Sequence, residues 1–152
     1  MEKLGPLPIH VAQIGCLNKV MCAWNLLQGL RQYDREPCTP ERWMELDAMA
    51  ESYRMMTVNY LTALVGQKKN DKISIFNNPI KGKEQQISDF YSEYANDLAN
   101  LHRVRDKVYS HFDLDFADAV KELPNDFITN CIEDLVDILG SRTTLRLTKV
   151  SP

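Results

Sequence analysis

Apolar residues recur at three- and four-residue steps along most of this chain, and that spacing commits it to helices before anything else is weighed. From about Pro8 to Tyr33, the set Ile9, Leu17, Val20, Met21, Trp24, Leu27 and Leu30 marks a first helix, which ends where Arg35, Glu36 and Pro37 break the pattern. Thr39 as N-cap, Pro40 at the first helical position and Glu41 in the first turn then open a second helix. Its expected core face is Trp43, Leu46, Ala50, Tyr53, Thr57, Tyr60 and Leu64, at a spacing of about 3.5 that suits antiparallel packing. Met44, Met49, Met55 and Met56 are assigned to core filling, the usual work of an unbranched, polarisable side chain. Gly66 closes this helix.

A third helix is expected from about Glu84 to His111, then a short one over Phe116 to Leu123 with Asp115 as its cap, then Pro124. A fourth main helix from about Asn125 to Leu139 carries Ile128, Cys131, Leu135 and Ile138 on one face and stops at Gly140. No stretch reads as a sheet. The expected fold is therefore all-α: an antiparallel four-helix bundle with a short extra helix, forming one domain over residues 1–152. Its core spans about 9–140, and 141–152 form a basic tail with Arg142, Arg146 and Lys149, which either docks as an extended segment or stays disordered.

The third helix holds the anomaly. Ile87, Phe90, Tyr91, Tyr94, Leu98, Leu101, Val104 and Val108 gather into one arc of a helical wheel, and Arg105 projects near the middle of it, in line with Ile87. A guanidinium in that place needs a partner or a ligand. His111 lies on the margin of the same arc, so an always-charged anion binder and a group that titrates near neutral pH share one element. The bland alternative is that Arg105 pairs with a carboxylate such as Asp106 or Asp113 and clamps the helix end.

The run Arg105, Asp106, Lys107, two further residues, Ser110, His111, Phe112, Asp113 resembles the signature of HEPN domains, particularly the abortive-infection U-type group. That signature centres on an Arg followed four to six residues later by a His, and here residues 106–110 intervene. The match covers nine residues, and the helical layout agrees with it loosely from about Ile9 to Gly140. The resemblance implies metal-independent cleavage of RNA by a toxin or phage-defence protein, with Arg105, Asp106 and His111 as catalytic residues. It also implies a homodimer whose third helices meet at a shared cleft, a bacterial setting, and activity restrained by a regulatory or antitoxin partner or triggered by infection. Members of the family controlled by a nucleotidyltransferase usually carry a Tyr two residues after the His, whereas this chain has Asp113, which argues against that form of control. A different class stays open: a non-catalytic helical module that binds nucleotide, RNA or a protein partner.

The chemistry expected at such a site follows from the residue types. The 2′-hydroxyl must lose a proton as it attacks its own phosphate, and His111 has the pKa range for general acid or base work. Arg105 would hold two phosphate oxygens and stabilise the charge of the crowded phosphorus. Lys107, one turn before His111, adds positive charge, Asp113 orients the ring, and Ser110 completes the supporting set. In a regular helix, six residues separate Arg105 from His111 by about 9 Å along the axis and about 120° around it. Either the helix bends near Ser110 or a second copy completes the site.

Composition narrows the partners. A formal net charge of −3 gives no global sign of a nucleic-acid binder, so any RNA contact must be local. The candidates are Arg103 beside the motif, the tail, and the stretch to Lys83 that carries Lys68, Lys69, Lys72, Lys81 and Lys83 against a lone Asp71. That stretch is either simply solvated or a holder of RNA backbone. Ile73, Ile75, Phe76 and Ile80 within it predict that it packs back on the helices with one short helical turn. Cys16, Cys22, Cys38 and Cys131 lack metal-ligand spacing and read as reduced filler, so no metal and no cofactor is expected. His10 reads as a surface residue at a helix start and His102 as solvated. His10, Gln13, Asn18 and Lys19 interrupt the first apolar stretch, which predicts no signal peptide, no membrane span and a cytoplasmic protein.

Overall fold

A computed structural model describes residues 8–33, 38–110 and 123–140, with the last turn before 111 described by its backbone alone. Among the described residues there are five helices and no strand: α1 Ile9–Arg31, α2 Pro40–Val65, α3 Glu84–Glu93, α4 Ala95–Ser110 and α5 Asn125–Leu139. The expected short helix over Phe116 to Leu123 falls almost entirely on residues outside this set, as does the tail. No described helix is long and apolar enough to cross a membrane.

Helix α1 packs along α2 and touches α5, α2 also meets α4, and α3 bridges α4 and α5. One hydrophobic core runs through all five, built from Leu17, Val20, Trp24, Leu61, Leu64, Phe90, Leu101, Val104, Ile132 and Leu135 among others. The predicted face of α1 is buried from Leu17 to Leu27, but Ile9 is exposed and Leu30 only partly covered, because the ends of a long helix outrun their neighbours. In α2 the cap is as expected: Thr39 Oγ1 accepts from the Arg42 amide at 3.2 Å, with Pro40 beside it.

The burial of α2 departs from the predicted seam. Leu46, Ala50, Thr57 and Leu64 are buried, Tyr53 and Tyr60 partly so, and Trp43 is exposed. Val58, Leu61, Thr62 and Val65 are buried as well, so burial is concentrated in the C-terminal half, while the first turns bury Leu46 and Ala50. The buried Thr57 and Thr62 hydroxyls are satisfied by donating to the carbonyls of Tyr53 and Val58 at 2.8 and 2.6 Å. The methionine assignment is corrected by the same asymmetry: Met44, Met49 and Met56 are exposed, Met44 to 74%, and Met55 is partly buried. Cys22 is likewise exposed, whereas Cys16 and Cys131 are buried, and all four thiols are free.

The expected third helix is two helices. Tyr94 interrupts it with φ −103° and ψ 16°, although the amides of Tyr94 and Leu98 still bond to the carbonyls of Phe90 and Tyr94. Its ring is buried between Phe90 and Phe127, with centroids 5.1 and 5.7 Å away, and its hydroxyl donates to Asp134 of α5 at 2.5 Å. The side chain is thus anchored between α3 and α5 at the break. Helix α5 matches its predicted bounds and face, and Gly140 ends it in the left-handed region at φ 56°, where a Cβ would be strained.

Residues 66–83 fold back on the helices as expected. The Ile75 amide bonds to the Leu64 carbonyl at 2.9 Å, Ile75 is fully buried, and a single helical turn joins Ser74 to Asn78. Phe76 stays half-exposed, its ring edge-on to Tyr91 at 5.2 Å. Asn77 and Asn78 hold the turn from within, donating to the carbonyls of Lys68 and Asp71 and of Lys72 and Ser74 respectively. Gln13 of α1 ties the loop down by donating to the Asn78 carbonyl at 3.0 Å.

Candidate anion site on α4

Two carboxylates govern the setting of Arg105. Its Nε and Nη2 donate to Asp106 Oδ1 at 3.2 and 3.1 Å, and its Nη1 lies 3.9 Å from Asp71 Oδ1 on the loop. Leu101 and Val104 take the core positions, so the guanidinium sits at the rim with its side chain 19% exposed, not in the middle of the buried arc. The carboxylate pairing that was the bland alternative is therefore present through Asp106, with Asp71 added from a different element. Lys68 joins the same group: its Nζ is 3.9 Å from Asp106 Oδ2, and its backbone amide donates to Asp71 Oδ2 at 2.9 Å.

The position of Asp71 has a local cause at Gly66. The three atoms nearest to where a Cβ on Gly66 would stand all belong to the Asp71 carboxyl group, in direct collision with it. Only a residue without a side chain lets Asp71 fold under the end of α2 and reach both Lys68 and Arg105. Loop and helix are joined there by charges that balance formally, Arg105 and Lys68 against Asp71 and Asp106. The Arg105 to Asp71 pair is loose and Lys68 is well exposed, so an arriving anion can compete for both cations.

His102 belongs to this surface, which corrects its reading as solvated. The loop covers that side of α4, and the ring is partly buried with Nδ1 enclosed and without a partner. Burial foremost, then the Arg105 guanidinium, holds its pKa below the ordinary imidazole value, with Lys68 acting in the same sense and Asp71 and Asp106 opposing. Sequence offered one signal for it, the three-residue spacing to Arg105 that sets two side chains on adjacent turns. For Asp71 there was no signal.

The other predicted residues divide. Asp106 holds Arg105, the contact that the bland alternative also expects. Arg103 is exposed, donates to Asn100 at 3.4 Å, and lies on the opposite side of α4 from Arg105. Lys69 and Lys72 are exposed on the loop, and among the described residues the loop lysine with an ion pair to the α4 group is Lys68. Lys107 and Ser110 fall on the last turn of α4, and His111 and Asp113 lie outside the described residues. Among the described residues no group of three or more His, Cys, Asp or Glu side chains is placed to hold a metal ion. The chain matches no protein-family model, no curated protein and no solved structure.

Proposed function

We propose that this protein is a metal-independent endoribonuclease of the toxin or phage-defence type, resembling the abortive-infection HEPN domains. The observation that carries the reading is the meeting of Arg105 and Lys68, cations from two separate elements, at one rim where two of their ion pairs, Lys68 to Asp106 and Arg105 to Asp71, are as long as 3.9 Å. Such a pair is suited to a phosphodiester: the planar guanidinium can take two oxygens while Lys68 adds charge from the other side. Taking α3 and α4 as one interrupted arm would leave four arms, in keeping with an antiparallel four-helix bundle. The site then works as an electrostatic cradle. Arg105 stabilises the charge that builds on phosphorus, Asp106 fixes the guanidinium plane, and His111 moves the proton of the 2′-hydroxyl, with Lys107, Ser110 and Asp113 in support.

A homodimer completes this reading, because Arg105 and His111 of one regular helix diverge. Trp43, Met44, Met49 and Met56 on α2 and Leu26 and Tyr33 at α1 present exposed apolar area that a second copy would cover. The protein would act in the cytoplasm, on an RNA substrate, under the restraint of an antitoxin or other regulatory partner. Incubation of pure protein with mixed RNAs in EDTA tests the activity, comparing wild type with His111→Ala and Arg105→Ala. Cutting abolished by both substitutions supports the enzyme; equal cutting by all three refutes it. One observation favours the non-catalytic binding module instead: Arg105 already has two carboxylates, Asp106 and Asp71. Absence of cutting by all three proteins, with retained RNA binding by wild type, would select that reading.

A further inference from the structure

His102 has no role in the reaction as drawn, yet it lies three residues before Arg105, with Lys68 and Asp71 of the loop among the charges that act on it. Its Cβ and that of Arg105 stand about 5–6 Å apart, as any pair three residues apart in a helix must. No bend and no second copy is needed to bring these two together. The charged groups around the ring are Arg105 and Asp106 from its own helix and Lys68 and Asp71 from the loop. Nδ1 is enclosed and has no hydrogen-bond partner. An orphaned N–H is rarer in folded proteins than an under-used acceptor, so the economical form of this ring is neutral, with the bare lone pair on Nδ1 and the proton on Nε2.

We propose that His102 completes the anion site with Arg105 and Lys68, donating from Nε2–H to an oxygen of the bound phosphodiester as an uncharged group. The proposal rests on the anion-binding reading of Arg105 and extends it to a residue that the motif does not contain. A neutral donor suits this place. A permanent third cation would repel Arg105 and Lys68 in the free protein, whereas imidazole adds a directed hydrogen bond without adding charge. Once phosphate arrives its negative charge favours protonation of the ring, so binding and proton uptake reinforce each other.

The test is a ring-nitrogen NMR titration of the full-length protein with a 2′-O-methyl oligoribonucleotide, which cannot be cut, alongside affinities for His102→Ala and His102→Gln. The expected free state is a neutral Nε2–H tautomer. Addition of the oligonucleotide should shift the His102 ring signals and raise its pKa, and affinity should grow several-fold as pH falls from about 7.5 to 6. Loss of one such hydrogen bond should weaken binding about fivefold in His102→Ala, and His102→Gln, which keeps an N–H donor, should recover part of this without the pH dependence. If Arg105 and Lys68 signals move while the His102 ring does not, the anion reading stands and His102 is outside the site. If none of the three responds, both fall.

Discussion

Replacing Gly66 with alanine disturbs the α4 site from behind, without touching any residue that faces solvent there. The backbone of Gly66, at φ −59° and ψ 143°, is open to any residue, so alanine by itself should stabilise by about 0.4–1 kcal/mol through the unfolded chain. The new Cβ, however, occupies the place of the Asp71 carboxyl group. Asp71 must then swing away, giving up the 2.9 Å bond from the Lys68 amide and the 3.9 Å pair with Arg105. An exposed amide bond is worth about 0.5–1.5 kcal/mol and a loose ion pair about 0–1 kcal/mol, so the loss is about 1–2 kcal/mol and the net change a destabilisation of about 1 kcal/mol. In an Asp71→Ala background the obstruction is gone, and the same Gly66→Ala change should stabilise. Urea unfolding of the four proteins reads the cycle directly. The reasoning is refuted if Gly66→Ala has the same sign and size with and without Asp71.

Protonation of His102 should be visible in stability as well. Its folded pKa lies below the ordinary 6.5, so the unfolded chain takes up the proton first as pH falls. Stability is therefore unaffected above that value and declines below it, and melting curves of wild type should drop more steeply from about pH 7 to 5.5 than those of His102→Gln; equal slopes would contradict this. Tyr94→Phe keeps the buried ring but removes the hydroxyl that donates to Asp134, and since water can reach that partly exposed carboxylate, a loss of about 1.5 kcal/mol is expected in chemical denaturation. No measurable loss would mean that the rings alone anchor the break.

What the sequence disclosed, it disclosed through local physics. The Thr39 cap and the bounds of α5 were legible because capping chemistry and a Gly stop act within a few residues. The break at Tyr94 was not, since no Pro or Gly marks it and the hydrogen-bond ladder carries on across it; the side chain at the break is held by Asp134, on a helix far along the chain. Periodicity placed Met44, Met49 and Met56 on a helix but could not report that burial is concentrated in its C-terminal half and that these three stay exposed. At the site, Arg105 stood out as an oddity in an apolar arc, and its need for a partner was readable. That the partner includes Asp71, and that the loop shelters His102, required the fold.

The asparagines of residues 66–83 have a consequence for recognition. Because Asn77 and Asn78 already occupy the carbonyls of the turn, and Ile75 is sunk into the core, the backbone that carries Lys68 is ordered before anything binds. Freezing a single residue costs roughly 1–2 kcal/mol, so a slack basic loop would surrender much of its attraction merely by becoming still. Here the fold has already met that cost. The lysine's backbone is a fixed point of the surface, and under the proposed reading the loop would select a spacing between phosphates instead of adapting to whichever one it met.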